Sequence, residues 1–287
     1  MEILGVDIGG TTINVGTVQG NSIKNEAHIL VDSTATADVN LQNLIQIIRE
    51  NLTSKVLAIG VGVPAVVDAV NGIVYDVQNI PAWKEIPLKQ ILEKEFNLPV
   101  FINNDANCFA LGEFTYGEAK KYSNVIGLSL GTGVGMGIII NKALYNGVLC
   151  GAGEIGMLPY KDSIIENYAG SFFFSQHYNS TARDVATNAV KGQECALKAF
   201  KEYGEHLGET LKYILYLFAP DAIFLGGSIS KAYPHFKDTM LESLSSFAYQ
   251  KQIENLVIEV STTKGSAILG AASLCIQKSN NNTIIRI

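Results

Sequence analysis

The sequence predicts an α/β protein of two lobes, and three observations carry that prediction. Apolar strand-like runs alternate with stretches of helical periodicity along most of the chain, the pattern of mixed α/β proteins. The 287 residues exceed the roughly 100 to 200 that one hydrophobic core usually holds. A strand, glycine turn and second strand recur: with Gly9 laid on Gly131, Gly9-Gly10-Thr11 matches Gly131-Thr132-Gly133, Val15 matches Gly137 and Val18 matches Ile140, a spacing of 122 residues. Two copies of such a hairpin facing each other would make a cleft.

The elements follow in order. Ile3–Ile8 and Ile13–Val18 are apolar runs on either side of a glycine-threonine turn, so both are strands. Leu41, Leu44, Ile45, Ile48 and Leu52 fall on one face at helical spacing, with Asp38 near the start as a candidate cap. Val56–Val63 is a strand ending at Pro64, Val100–Ile102 one ending at Asn103, and Ala222–Leu225 one ending at Gly226. Phe200, Tyr203, Leu207, Leu211, Ile214 and Phe218 mark a longer amphipathic helix that stops at Pro220. The polar tail Ser279–Asn282 is expected to fray.

Apolar residues at 47% supply two cores, and charged residues at 17% are too few for a disordered chain. A formal net charge of -6, without any basic run, argues against a nucleic-acid groove, which needs clustered Lys and Arg to displace counterions. It does not exclude a phosphorylated ligand, because backbone N–H groups hold phosphate without basic side chains. Cys108, Cys150, Cys195 and Cys275 are scattered and read as reduced core thiols. The chain opens on Met1-Glu2 and an apolar strand, with no signal peptide and no stretch long enough to span a bilayer, so a cytoplasmic protein is expected.

Asp7-Ile8-Gly9-Gly10-Thr11-Thr12 places a carboxylate on a strand before a turn without bulk, where backbone N–H groups approach a ligand closely. That suits phosphate, with Asp7 near a Mg2+ ion, through water; the plain alternative is an ordinary hairpin. Gly131-Thr132-Gly133-Val134-Gly135-Met136-Gly137 is a second cradle. It is not a dinucleotide fingerprint, because Met136 stands where glycine is needed and a strand follows where a helix should. Asn103-Asn104-Asp105-Ala106-Asn107 follows a strand end; Asp105 is placed to accept a hydroxyl proton and Asn104 to orient a sugar, the alternative being a helix cap. Glu154 among glycines and Glu166 shortly after offer acceptors for hydroxyls, or are solvated surface residues. Gly226-Gly227 ends a further strand and suits backbone packed against a flat nucleoside. His28, His177, His206 and His235 lack ligand spacing and read as surface or capping residues, not a zinc site.

Six ordered motifs together resemble the ROK family of hexose kinases and sugar-responsive repressors: D-x-G-G-T from Asp7, V-G-V-P at Val61–Pro64, N-N-D-A-N at Asn103–Asn107, L-G-T-G-V-G at Leu130–Gly135, G-E-I-G at Gly153–Gly156 and L-G-G-S-I-S at Leu225–Ser230. The resemblance spans nearly the whole chain. It implies a two-lobed actin/hexokinase-like fold, of the duplicated ribonuclease H-like kind, with a central cleft. The lobes it implies are residues 1–115, joined by the C-terminal segment 264–287 whose helix runs from Lys264 to Gln277, and residues 116–263. It implies ATP and Mg2+ as cofactors, with Asp7, Gly9, Gly10, Thr11, Thr12, Gly131, Thr132, Gly133, Gly226 and Gly227 on the nucleotide side. Asp105 becomes the general base, and Asn104, Glu154, Glu166, Pro64 and Asn79 the substrate-side residues. The implied reaction is phosphorylation of a hexose, N-acetylhexosamine or glucoside by a homodimer, with polyphosphate as another conceivable donor.

Two departures from the family pattern are present, the second of little consequence for phosphate held by backbone. Met157 stands where many members have histidine, and the following loop is short and lacks cysteine, so no structural zinc is expected. Thr12 replaces a common lysine. The repressor branch carries an additional N-terminal helix-turn-helix domain for which this chain leaves no room, so DNA binding is not expected. A sugar-binding regulator of the same fold with weakened catalysis is the alternative.

Overall fold

A computed structural model describes residues 2–277 of the chain. The polar tail and the last part of the 264–287 segment lie outside the described residues. Two compact units emerge, one containing residues up to Lys121, 137–152 and those from Thr262 on, the other 122–136 and 153–261. Residues 137–152 pack with the first unit although the sequence pattern does not separate them from their surroundings.

The first sheet is built from β1 (Glu2–Ile8), β2 (Thr12–Gln19), β3 (Ser22–Leu30), β4 (Val56–Val63) and, after the small antiparallel sheet of β5 (Val66–Asp68), β6 (Ile73–Tyr75) and β7 (Glu85–Ile86), β8 (Val100–Asn104). Its order is β3-β2-β1-β4-β8, antiparallel through the β1–β2–β3 meander and parallel across β1, β4 and β8. The second sheet joins β9 (Val125–Leu130), β10 (Val134–Ile140), β11 (Ala143–Leu144) and, past the hairpin of β12 (Pro159–Tyr160) and β13 (Ser163–Ile164), β14 (Ala222–Gly226) and β15 (Val257–Val260). Its order, β11-β10-β9-β14-β15, repeats the first. The repeat anticipated at a spacing of 122 is thus a repeat of topology: β1 and β9 end on equivalent residues, Ile8 and Leu130, and β2 and β10 start on Thr12 and Val134.

The helices are α1 (Ala37–Asn51), α2 (Leu88–Phe96), α3 (Asp105–Tyr116), α4 (Ile165–Ala169), α5 (Phe172–Tyr178), α6 (Ala182–Val190), α7 (Glu194–Phe218), α8 (Tyr233–Ser245), α9 (Gln250–Glu254) and α10 (Ser266–Gln277). Helix α1 buries Leu44, Ile45, Ile47 and Ile48 against the first sheet in a core that includes Trp83, whose indole Nε1 donates to Ala37 O. The Thr36 side chain caps α1 and Asp38 sits in its first turn, correcting the expected cap; Thr36 is two residues earlier, where its oxygen reaches the Val39 N–H. Strand β8 continues through Asn103 and Asn104 because the ladder to Gly62 and Val63 is made by backbone and ignores side-chain polarity. Helix α7 starts at Glu194, earlier than its apolar periodicity, and α10 at Ser266.

Helices α3 and α10, which follow the last strand of each sheet, pack through glycine on both sides. A Cβ on Gly112 would lie 1.9 Å from Ser266 O, and one on Gly270 would lie 1.7 Å from Cys108 O. The same helix covers Gly5 and Gly60 of β1 and β4, where a Cβ would meet Ile268 O at 2.2 Å and Ala271 O at 1.8 Å. In the second unit α5, α7 and α8 enclose Phe173, Phe174, Phe200, Tyr203 and Phe236, all fully buried. Two side-chain expectations are corrected: His206 is 4% exposed, lying on the buried face of α7, and Cys195 is exposed while the other three cysteines are buried. Among the described residues no helix is long and apolar enough to cross a membrane.

Candidate functional site

In the first unit the ends of the parallel strands bring polar residues into one row. The ladder pairs Asn14 with Asp7, Asp7 with Gly62, and Gly62 with Asn103. Gly62 leaves this row open: a Cβ there would lie 3.2 Å from Cys108 Sγ and 3.5 Å from Asp105 Cα. Asp7 and Asp105 therefore flank one glycine, and the charges of both add to the burial that holds the Cys108 thiol well above its ordinary range. Burial pushes Asp7 up to about 6, opposed by a hydrogen bond from Asn14 Nδ2 at 3.1 Å.

The Gly9–Thr12 turn closes with the Gly9 N–H donating to Thr12 O at 2.8 Å, while Thr11 is exposed at its tip. Asn79 leans on this turn, its Nδ2 3.0 Å from where a Gly10 Cβ would be. Asn104 is the cap of α3: its Oδ1 accepts the Ala106 N–H at 2.9 Å and the Asn107 N–H at 3.3 Å, and its Nδ2 donates to Ala65 O, just beyond Pro64, at 3.3 Å. The capping alternative thus describes Asn104 itself. Asp105 opens the helix, with Oδ1 2.9 Å from the Ala106 N.

In the second unit the Gly131–Gly133 turn is held from below. The Gly131 N–H donates to Gly133 O at 3.0 Å, the Ser171 N–H donates to Gly131 O at 2.9 Å, and the Val134 N–H donates to Glu166 Oε2 at 3.0 Å. A Cβ on Gly133 would fall 2.2 Å from that same Oε2, so glycine is what admits the carboxylate. Glu166 is thus a brace of the turn through one oxygen, a role beyond that of an exposed acceptor. Glu154 follows Gly153, whose φ of 102° requires glycine, as does the 1.9 Å at which a Cβ there would meet Met136 O. Partial burial raises the Glu154 pKa, and the neighbouring Glu166 charge adds to it. Gly226 pairs with Ser129, and Gly227, at a φ of 81°, lies against Leu130, so the paired glycines and the Gly131 turn share one strand-end region.

Sequence reasoning assigned no role to Asn14 or Ser171, nor to Gly62 and Asn103 within the motifs that contain them. Asn14 and Gly62 interrupt apolar strands, which is a signal, whereas Ser171 has none because its partners lie 40 residues upstream in sequence.

The donor set bears on the metal. Among the described residues no group of three His, Cys, Asp or Glu is clustered to hold a metal ion, and Met157 is 51% exposed on the turn after Glu154. A single desolvated carboxylate beside a glycine turn does fit Mg2+ that arrives on a polyphosphate, since that ion takes one or two carboxylates and keeps its waters. Asp7 would hold it.

Comparison with known proteins follows this geometry. The family model described as the ROK family matches residues 3–278. A xylose repressor from Caldicellulosiruptor bescii is 31% identical over 251 residues, covering 77% of this chain but 63% of the repressor's own length, so the chain spans less than two thirds of that relative. A glucokinase from Thermotoga maritima is 26% identical, covering 96% of this chain and 97% of the enzyme. The crystal structure of a ROK family glucokinase from Streptomyces griseus in complex with glucose and AMPPNP superposes with a TM-score of 0.85 at 26% identity, covering 96% of this chain and all of that one.

Proposed function

The chain belongs to the ROK family, and we propose that it transfers the γ-phosphoryl group of ATP to a hydroxyl of a hexose-type sugar. Its mixed α/β fold is the one these sugar kinases share. The observation that carries the reading is the pair Asp7 and Asp105 on either side of Gly62 at the ends of parallel strands, in a chain that aligns along its length with a glucokinase.

The roles follow from the residues. Asp105 takes the proton of the acceptor hydroxyl as that oxygen bonds to the γ-phosphorus; the bond from this phosphorus to the β–γ bridging oxygen breaks, and ADP leaves with the electron pair. Asp7 would hold the Mg2+ that accompanies the nucleotide, and that ion would supply charge neutralisation to the phosphates. Backbone N–H groups of Gly9–Thr12 and Gly131–Gly133 take phosphate oxygens, and Gly226-Gly227 takes the nucleoside. On the sugar side Glu154 accepts hydroxyls, Glu166 offers the oxygen not spent on Val134, and Asn104 contributes its second amide hydrogen, with Pro64 and Asn79 lining the substrate. Most of the catalysis is positioning. A cytoplasmic homodimer is the working form in this reading, to be checked by fractionation and sedimentation.

The xylose-repressor match favours a second reading, a sugar-binding regulator with weakened catalysis. An assay of sugar-phosphate formation with hexoses, N-acetylhexosamines and β-glucosides as acceptors and ATP or polyphosphate as donor separates them. A kinase phosphorylates one acceptor class, releasing ADP when ATP is the donor; a regulator is stabilised thermally by a sugar with no transfer from either donor.

A further inference from the structure

The turn that presents Asp105 is held by a chain of amides reaching well beyond its own strand and helix. Asn103, the residue before the cap, is 3% exposed and uses both ends of its side chain. Its Oδ1 accepts the Asn104 backbone N–H at 2.8 Å and Asn107 Nδ2 at 3.0 Å, while its Nδ2 donates to Asn146 Oδ1 at 3.0 Å. Asn107 is fully buried, and its Oδ1 has no hydrogen-bond partner among the described residues, a desolvation penalty that an apolar residue would not carry. A polar side chain kept in the core at that cost is there for what its other end does, which is to donate to Asn103.

Asn146 lies just after β11, next to Gly147 with a φ of 64°, and its backbone O accepts the Ala152 N–H at 3.1 Å. The same stretch of chain touches the first turn of α3 a second time: a Cβ on Gly137 would lie 2.3 Å from Ala106 O and 2.5 Å from Ala110 Cβ. The first turn of α3, which belongs to the first repeat, is thus gripped by residues 137–152, which follow the glycine turn of the second.

We propose that Asn146, acting through Asn103, is a positioning residue for Asp105. The inference rests on the kinase reading, in which Asp105 is the base. A general base works only within hydrogen-bond reach of the hydroxyl it deprotonates, and a displacement of about 1 Å can cost about 10²-fold in rate. A single amide–amide hydrogen bond contributes little net to folding, so the relay's weight in stability is small beside its leverage on that geometry.

The test is Asn146→Leu, which keeps the shape and removes the acceptor, made both in the parent chain and in Asp105→Asn, with kcat and KM measured at saturating ATP and the preferred sugar. Expected is a fall in kcat of about 10- to 100-fold in the parent with ATP KM within twofold, and a change under twofold in the Asp105→Asn background. Asn146→Asp, which keeps an acceptor for Asn103, should recover most of the rate. Equal losses in both backgrounds would reduce Asn146 to a structural residue and overturn the proposal, as would parent-like kcat. If Asn146→Leu does not fold, Asn146→Ser carries the same comparison. A parent chain that transfers no phosphoryl group to any acceptor overturns the kinase reading and this inference together, whereas an active parent with a silent Asn146→Leu overturns this inference alone.

Discussion

Laid over each other at a spacing of 122, the two repeats share strand order and turn position, yet Asp7 of β1 falls on Ser129 of β9. The first repeat carries its carboxylates at strand and helix ends, Asp7 beside Gly62 and Asp105 opening α3. The corresponding strand ends of the second carry Ser129, Gly226 and Gly227. Its carboxylates, Glu154 and Glu166, lie instead in the long insertion between β11 and β14, where the first repeat has only α1 between β3 and β4. The comparison teaches that a duplicated scaffold supplies two glycine turns in equivalent places, while carboxylates are added unequally: at strand and helix ends in one copy, on an insertion in the other.

The largest effect is expected from the residue that most separates the copies. Asp105→Asn should lower turnover by about 10²- to 10⁴-fold with ATP binding nearly intact, read by steady-state kinetics and calorimetry; turnover within twofold of the parent would remove the asymmetry's catalytic meaning. What the copies share is tested next. Gly270→Ala drives a methyl group into Cys108 O, 1.7 Å away, and should destabilise the fold by about 3 kcal/mol or more in urea unfolding; a smaller cost would show that the reciprocal glycine contact of α3 and α10 yields easily.

Gly131→Ala sharpens the contrast between cradle and core. Among the described residues nothing lies within 4 Å of its added Cβ, so stability should hold within about 0.5 kcal/mol, while a turn whose N–H groups take phosphate should lose about tenfold in ATP Kd to the added methyl group. Unchanged Kd would leave the second turn without a ligand role.

The smallest effect concerns the insertion. His206 is held neutral, its pKa lowered to about 4, first by burial and then by Lys161, against the pull of Glu202 and Glu209 and with His177 also lowering it. Because the folded value lies below the ordinary 6.5, the unfolded chain binds a proton between those values that the folded chain does not. This contribution is full above pH 6.5 and is lost as pH falls toward 4. His206→Asn, which can still meet the Tyr160 hydroxyl 3.1 Å from Nδ1, should narrow the difference in Tm between pH 7.5 and pH 5 by about 2–4 °C. An unaltered difference would place the acid sensitivity elsewhere.

Much of the candidate site was legible in the chain as written. Asp7, the two glycine turns and Asp105 stand directly after apolar runs, and a strand end is where an α/β sheet presents ligand groups. What was not legible depends on partners far apart in sequence. That Thr36 caps α1 is local and was missed only by two residues. That Glu166 braces the Val134 N–H, that Asn103 reaches Asn146, and that His206 is buried against Tyr160 are contacts across 32, 43 and 46 residues.

By itself the sequence determined the alternation of strands and helices, the repeat, and which residue types stand at each strand end, because hydrophobic periodicity and glycine placement are local properties of the chain. Only the tertiary structure decided which polar side chains are spent on the protein's own backbone. Asn104 gives an amide hydrogen to Ala65 O and Glu166 an oxygen to the Val134 N–H, 39 and 32 residues away, since a buried backbone group must find a partner and the nearest one in space need not be near in sequence.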